Sequence, residues 1–305
     1  MSPAAPLLLR WYRHHGRDLP WRKTRESYPI LVSEIMLQQT QVPRVLLFYR
    51  AWLKQFPDWK ALARASNAEV IRAWAGLGYN RRALVLRDIA REIERIGEPK
   101  SETDWRALKG IGPYTAAALA AFSLHKRVLP IDTNIRRVGG RLLLGIPFPQ
   151  PKNDDRLRKA AERFLPKRGR FFDIPQALFD LATSICIKTP RCAECPMRSV
   201  CPAATKFLSG TLRTPARLTP VAHERRHRNK PYPDRIYRGR ILQLIRTATI
   251  PVAISSLGKK IDPNFHPQDD QLWLVRMLSR MEKDGLIERQ KNRVQLPSAS
   301  VSKIS

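Results

Sequence analysis

All four cysteines of this 305-residue chain lie in one stretch of sixteen residues, CIKTPRCAECPMRSVC. Five, two and five residues separate Cys186, Cys192, Cys195 and Cys201. Four thiolates so close in sequence predict a metal site, either tetrahedral zinc or an iron–sulfur cluster, and spacing alone favours zinc. Disulfides are not expected, because the three leucines before Arg10 are too short a run for a secretory signal.

The charge balance points to a polyanionic partner. Lysine and arginine number 56 against 26 aspartate and glutamate, which gives a formal net charge of +30 and a pI near 11.0. Because the basic residues are spread along helix-like segments, nucleic acid is favoured over acidic membranes or solubility alone. No apolar run approaches the roughly 20 residues of a membrane helix. We expect a cytoplasmic, nucleoid-associated protein with no membrane partner.

The first 203 residues predict a mainly α structure of many short helices. Apolar residues recur at helical spacing in three segments, and four further helices are predicted, over 30–35, 45–53, 83–93, 113–122, 133–144, 154–164 and 174–185. Prolines and glycines interrupt these segments. No alternating pattern of convincing length predicts a strand here.

The composition changes after residue 203. Residues 204–234 are rich in Pro, Arg, Lys and Thr, which predicts an extended basic linker. Residues 235–298 predict helices followed by a hairpin around Lys291 and Asn292, the pattern of a small winged-helix-like module. Such modules bind DNA or pack against a partner, and the basic charge favours DNA. Residues 299–305 form a tail.

Three features of the helical part suit chemistry. Gly110 and Gly112 predict a tight turn that leaves amide groups bare at a helix N-terminus, where a phosphate can bind. Asp132 precedes a predicted helix, and in isolation an ordinary N-cap is its favoured role. Glu34 lies among apolar helix neighbours; most helical glutamates are solvated, but burial here would raise its pKa towards neutrality.

The first two thirds of the chain resembles the MutY adenine glycosylases, which belong to the helix-hairpin-helix DNA glycosylases of the endonuclease III superfamily. The resemblance covers residues 10 to 203 and rests on the cysteine block and on GRDLPWR (16–22), LVSEIMLQQTQV (31–42), GLGY (76–79), GIGPYTAAA (110–118) and IDTNIRRV (131–138). It implies a six-helix domain over 28–130, an iron–sulfur domain over 1–27 and 131–203, and a [4Fe–4S] cluster on the four cysteines.

The resemblance also implies roles for the polar residues of these phrases. Glu34 would protonate adenine, and ionised Asp132 would stabilise the cationic sugar, the two-carboxylate logic of glycosidases. Tyr114 and Asn134 would line the pocket and orient the carboxylates. Related enzymes that nick the backbone carry a Schiff-base lysine at the position of Tyr114, so base removal without strand cleavage is implied.

Contacts with DNA follow from the same resemblance, because the target base must leave the stack. Gln39 would insert into the duplex, and Tyr79 of the GLGY phrase would contact DNA. Trp21, Arg22 and Gln176 would surround the extruded adenine. Taken singly, these three residues suit core packing, a surface ion pair and a polar helix face.

The implied substrate is adenine opposite 8-oxoguanine or guanine in double-stranded DNA, removed by a monomer. The chain departs from the family at three points: five residues instead of six separate its first two cysteines, Asn80 replaces a second tyrosine, and the C-terminal region has no recognisable likeness to the Nudix-like reader of many relatives. The alternatives are a thymine or uracil mismatch glycosylase and a non-catalytic DNA-binding iron–sulfur protein.

Overall fold

The computed structural model describes residues 3–215, 224–227 and 230–298, and within these ranges it is mainly helical, as predicted. The helices α1 to α15 span Ala4–His15, Ser27–Leu37, Val42–Gln55, Trp59–Arg64, Asn67–Ala73, Arg81–Ile96, Glu102–Ala107, Pro113–Phe122, Thr133–Leu144, Asp154–Phe164, Asp173–Ser184, Ala204–Leu208, Asp234–Thr247, Ile254–Ile261 and Pro267–Lys283. The strands β1 to β3 span Val252–Ala253, Glu288–Gln290 and Arg293–Gln295. None of the described helices is long and apolar enough to cross a membrane.

Local sequence signals set several helix boundaries. Ser66 and Glu69 form a capping box at the start of α5, and the Asp58 side chain accepts a backbone N–H at the start of α4. Pro113 opens α8, where its fixed φ suits the first helical turn. Gly145 ends α9 with a left-handed φ of 64°, which glycine adopts without steric cost.

The chain forms two compact units. The first combines the chain up to Glu34 with the segment that begins at Pro99, and the second combines Ile35–Glu98 with the C-terminal segment. In the first unit α9 packs against α10 and α11, and α1 packs against α11. Their shared core holds Leu8 and Ile135, and Cys195 packs at its edge.

The second unit contains α3 to α6 and the C-terminal module. Helix α4 packs against α6, and Trp52 and Trp74 meet edge to face with ring centroids 5.2 Å apart in the interior. Such aromatic pairs bury large apolar surfaces in a defined geometry. They provide a rigid support for the loop that follows Trp74.

The C-terminal module has the architecture that its sequence predicts. Strands β2 and β3 pair antiparallel through a turn at Lys291, whose φ is 51°. Strand β1 pairs with β3, so the sheet order is β1-β3-β2, and α13 to α15 pack together with it. The two-residue β1 and the short α14 were not predicted, because segments of that length carry little periodic signal.

The segment predicted as a linker has some structure of its own. It begins with α12, and near its end Lys230 is buried and pairs with Asp262 and Asp270 at 2.7 and 2.5 Å. Residues 216–223 and 228–229 of the segment, and the tail 299–305, lie outside the described residues. The boundaries of the predicted domains stay predictions.

Candidate active site

Glu34 lies on α2, and its carboxyl is withdrawn from solvent. The residue is 8% exposed, and Ile30 and Leu31 of the same helix are also buried. Burial is the main cause that raises the pKa of Glu34 to about 7; a hydrogen bond from the Tyr114 hydroxyl opposes the rise and the charge of Asp132 adds to it. Glu34 therefore keeps a proton close to neutral pH, as its apolar sequence neighbours predict.

Asp132 stands at the start of α9 with both carboxyl oxygens engaged. Its Oδ1 accepts the backbone N–H of Ile135 at 2.7 Å, so it is the N-cap of this helix. Its Oδ2 accepts the side-chain amide of Asn134 at 2.9 Å. Burial raises the pKa of Asp132 above its ordinary value, and these hydrogen bonds oppose the rise. The N-cap role is real, and Asn134 holds the second oxygen in place.

Tyr114 is a hydrogen-bond donor to Glu34. Burial, followed by the nearby charges of Glu34 and Asp132, raises the pKa of its phenol well above the ordinary value. The hydroxyl therefore stays protonated at physiological pH. It can orient the Glu34 carboxyl, and it offers no amine for a Schiff base.

A chain of hydrogen bonds joins Asp132 to the cysteine segment, residues 186–201. The side-chain carbonyl of Asn134 accepts from Arg137 Nη2 at 3.1 Å, and Arg137 Nε donates to the backbone carbonyl of Cys186 at 2.8 Å. Arg137 Nη2 also donates to the carbonyl of Ala182 at 2.9 Å. Arg137 was not predicted as a site residue, although it lies within the phrase IDTNIRRV.

Trp21, Arg22 and Gln176 line one cavity of about 270 Å³ in the first unit. Its wall also includes the rings of Tyr12, Phe122, His125 and Phe172, together with Lys23, Thr24, Arg25 and Asp173. A cavity that combines aromatic rings with polar and charged side chains suits a nucleobase that has left its stack. The structure thus brings the three predicted residues together, and the four rings were not predicted because they come from separate helices and loops.

Arg22 forms a buried ion pair instead of the surface pair that its sequence alone suggests. Its two Nη atoms each donate to Asp180 at 2.8 Å, and its side chain is 8% exposed. Burial opposes ionisation of Asp180, but hydrogen bonds and charge from Arg22, together with Arg17, lower the pKa of this carboxyl. The pair holds the guanidinium at the edge of the cavity. Asp180 lies one helical turn after Gln176 and was missed.

Gln39 and Tyr79 line the same groove in the second unit, and both side chains are exposed. Both have left-handed backbones, with φ of 56° and 46°. A non-glycine residue adopts this conformation at a steric cost, and such residues concentrate at functional sites. The side chain of Arg82 lies between their two loops and donates to carbonyl groups of both.

Asn80, the departure from the family pattern, contacts the C-terminal module. Its side-chain carbonyl accepts from Arg246 Nη2 of α13 at 2.5 Å. Nearby, the side-chain amide of Asn67 donates to the backbone carbonyl of Gly285 at 3.1 Å. The module therefore packs against the start of α5 and of α6, next to the GLGY loop.

The predicted hairpin joins α7 to α8 in an exposed turn. Gly110 has a φ of 99°, a conformation that favours glycine. Gly112 does not need to be glycine for its backbone, because its φ of −88° suits any residue and an added Cβ would meet nothing within 4 Å. The predicted need for glycine is therefore confirmed at Gly110 and wrong at Gly112. Phosphate binding at this turn stays a prediction.

The four cysteines line one small cavity. Arg141 lies against it: its Nη1 contacts Cys186 Sγ at 3.5 Å, and its guanidinium is 4.7 Å from the centroid of the Phe207 ring of α12. In the part of the chain that is described, no group of three or more His, Cys, Asp or Glu side chains is arranged as it stands to hold a metal ion. The sulfurs thus share a cavity without the close grouping of a single-ion site.

Comparison with known proteins shows that this chain is similar to DNA repair glycosylases. A family model described as "HhH-GPD superfamily base excision DNA repair protein" matches residues 32–167. The chain is 36% identical over 301 residues to an adenine DNA glycosylase of Mycolicibacterium smegmatis, covering 95% of this chain and 94% of the relative. It is 37% identical over 295 residues to that of Mycobacterium tuberculosis, covering 92% and 89%.

Among solved structures, a thermostable thymine-DNA glycosylase matches with a TM-score of 0.62 and 28% identity, over 66% of this chain and 95% of that one. Together with the helical architecture described above, these matches confirm the predicted helix-hairpin-helix glycosylase fold.

Proposed function

The chain belongs to the adenine DNA glycosylase family, and we propose that it removes adenine mispaired with 8-oxoguanine or guanine from double-stranded DNA. The observation that carries this proposal is the Glu34 carboxyl. Its pKa of about 7 lets it hold, close to neutral pH, the proton that a departing adenine needs. A purine leaves its sugar readily only after protonation. A general acid with a pKa near the working pH is suited to that task.

The paired carboxylates divide the reaction between them. Glu34 donates its proton to adenine as the glycosidic bond breaks, and the sugar becomes positively charged until water adds to C1′ and gives up a proton to the Glu34 carboxylate. Asp132, ionised, stabilises that charge. Asn134 and the N-terminus of α9 fix the Asp132 oxygens, so little reorganisation is needed during the reaction.

The cavity lined by Trp21, Arg22 and Gln176 is the proposed pocket for the extruded adenine. Its rings offer stacking surfaces, and the ion pair with Asp180 keeps the Arg22 guanidinium in a fixed orientation. Gln39 and Tyr79 are proposed to enter the duplex and occupy the space that the base vacates.

The absence of an amine at Tyr114 supports base removal without strand cleavage. A strand-cleaving glycosylase forms a Schiff base with the sugar through an amine, and the Tyr114 phenol cannot do so. Treatment with borohydride during turnover should therefore trap no covalent protein–DNA complex. Recovery of such a complex would contradict this part of the proposal.

One assay tests the proposed substrate. Duplexes carrying adenine, thymine or uracil opposite guanine, and adenine opposite 8-oxoguanine, are incubated with the protein and the released bases are identified. Adenine is expected from its two mispairs. The likeness to a thymine-DNA glycosylase favours thymine and uracil as the second candidate class. Release of neither would leave the non-catalytic DNA-binding alternative.

We propose that Cys186, Cys192, Cys195 and Cys201 hold a [4Fe–4S] cluster. Four sulfur donors around one cavity, with the Arg141 guanidinium against it, suit an anionic cluster. The cluster would organise the segment that carries the four cysteines instead of taking part in base removal. The shorter spacing between the first two cysteines is compatible with this proposal, because Cys186 and Cys192 line the same cavity.

Metal content is the direct test of this cofactor. Protein purified without oxygen should be brown and contain about four irons per chain, the content of this cluster type. Cys195→Ser should lose iron and unfold at a lower temperature, because Cys195 packs at the edge of the first unit's core. Stoichiometric zinc without visible absorption would contradict the cluster and favour the zinc alternative.

We propose that the C-terminal module strengthens DNA binding electrostatically, through basic side chains of α13. Arg235 and Arg238 of this helix line the groove that also contains Gln39 and Tyr79. Replacing both by glutamine should flatten the dependence of log Kd on log salt by about 0.9 for each lost phosphate contact. Arg276→Gln, on the exposed face of α15, is the control. An unchanged slope would mean that α13 does not contact DNA.

A further inference from the structure

A single arginine connects the two loops that carry Gln39 and Tyr79. Arg82 Nη1 donates to the backbone carbonyls of Ile35 at 2.8 Å and Met36 at 3.3 Å, and to that of Gln38. These three carbonyls belong to the last turn of α2 and the loop after it. The Gln39 loop is therefore held from its N-terminal side by one guanidinium nitrogen.

The other guanidinium nitrogen reaches the GLGY loop. Arg82 Nη2 donates to the carbonyls of Leu77 at 3.4 Å and Gly78 at 3.2 Å, and to the Thr40 hydroxyl at 3.2 Å. Both loops thus depend on the same planar group. Its fixed fork geometry allows several carbonyls to be bound at once, which a lysine ammonium cannot reproduce.

Aromatic rings complete the arrangement. The Arg82 guanidinium lies 5.4 Å from the ring centroid of Tyr79 and 5.4 Å from that of Trp74, within the range of cation–π contacts. The indole N–H of Trp74 donates to the Gly78 carbonyl at 3.0 Å. The Tyr79 ring, 49% exposed, is supported from inside the protein while it faces the groove.

The backbone conformations of Gln39 and Tyr79 explain why their loops need support from Arg82. Gln39 and Tyr79 hold left-handed φ angles that persist in non-glycine residues when their surroundings over-determine them. We propose that Arg82 is a positioning residue that keeps both side chains in the orientation in which they enter the duplex. This inference rests on the proposed function, because it assumes that Gln39 and Tyr79 contact DNA.

The chain offers a matched control on the same helix. Arg91 of α6 also donates to loop carbonyls, with Nε 2.9 Å from Ala63 O and Nη2 3.4 Å from Ala65 O. Its loop joins α4 to α5 and carries none of the proposed DNA contacts. Arg82→Lys and Arg91→Lys both keep the positive charge and lose the fork geometry of the guanidinium. The two variants therefore differ only in which loop loses its hydrogen bonds.

The test uses the full-length protein and a duplex with 2-aminopurine beside the mispaired adenine, whose fluorescence rises when stacking is broken. Arg82→Lys should lose most of this rise and release adenine about 10- to 100-fold more slowly in a single turnover, the scale of an ångström-sized misplacement. Arg91→Lys should match the wild type in both. The pH profile of Arg82→Lys should keep its shape, because Glu34 is untouched.

The outcomes separate the inference from the proposed function. Equal fluorescence and rates for the two lysine variants, or no fluorescence rise with the wild type, would overturn the role of Arg82. A wild-type rise that Arg82→Lys loses, without adenine release by either protein, would support Arg82 and contradict the proposed chemistry. Thr40→Val, which removes one acceptor, should show a smaller loss in the same direction and guards against misfolding of Arg82→Lys.

Discussion

Glu34→Gln is expected to release adenine about 10²–10⁴-fold more slowly than the wild type in a single turnover, the usual contribution of a general acid. The amide keeps the shape of the carboxyl and can donate a hydrogen bond, but it cannot give up a proton. Duplex binding should persist, because the turn at Gly110 and the lysine and arginine side chains are unchanged. Near-wild-type release of adenine would contradict the role of Glu34.

The pH dependence gives this prediction a second readout. The wild-type rate should fall as pH rises through about 7, where Glu34 loses its proton. Tyr114→Phe removes the hydrogen bond that lowers the pKa of Glu34, so its alkaline limb should move to higher pH. Glu34→Gln should lack this limb, and a limb that stays in place would assign it to another group.

Stability provides the folding control for Glu34→Gln. The folded state holds the Glu34 proton up to about pH 7, whereas the unfolded chain releases it near 4.5. The free energy of unfolding therefore falls as pH rises between these values, by roughly 3 kcal/mol for a shift of this size. Glu34→Gln removes this penalty, so above pH 7 it should unfold at a higher temperature than the wild type.

Asp132→Asn is expected to slow adenine release by about 10²–10³-fold, the scale of losing one well-placed electrostatic group. Asparagine is as good an N-cap as aspartate, so α9 should keep its start and the protein should fold. The negative charge that stabilises the sugar cation is lost. A rate close to that of the wild type would mean that Asp132 serves as a helix cap alone.

Two controls accompany Asp132→Asn. Asp58→Asn changes the N-cap of α4, whose side chain accepts the Ala61 N–H at 2.7 Å, and should leave the rate unchanged. In Asp132→Asn the alkaline limb should also move to lower pH, because the charge of Asp132 raises the pKa of Glu34. A limb that does not move would show that the two carboxyls act independently.

The sequence alone was sufficient for the parts that depend on local pattern. Helices α8, α9 and α10 have the bounds predicted from the sequence, 113–122, 133–144 and 154–164. Burial of Glu34 followed from the apolar residues around it, and the hairpin of the C-terminal module followed from its alternation. These signals lie within a few residues of the element that they specify.

Only the tertiary structure decided which distant side chains meet. Arg22 and Asp180 are 158 residues apart, and Asn80 and Arg246 are 166 apart, yet each pair forms a direct contact. Neither spacing leaves a periodic trace, because such pairs are selected by the packing of whole helices. The role of Arg82 was hidden for a further reason: it binds backbone carbonyls, which every residue carries and which no sequence pattern can single out.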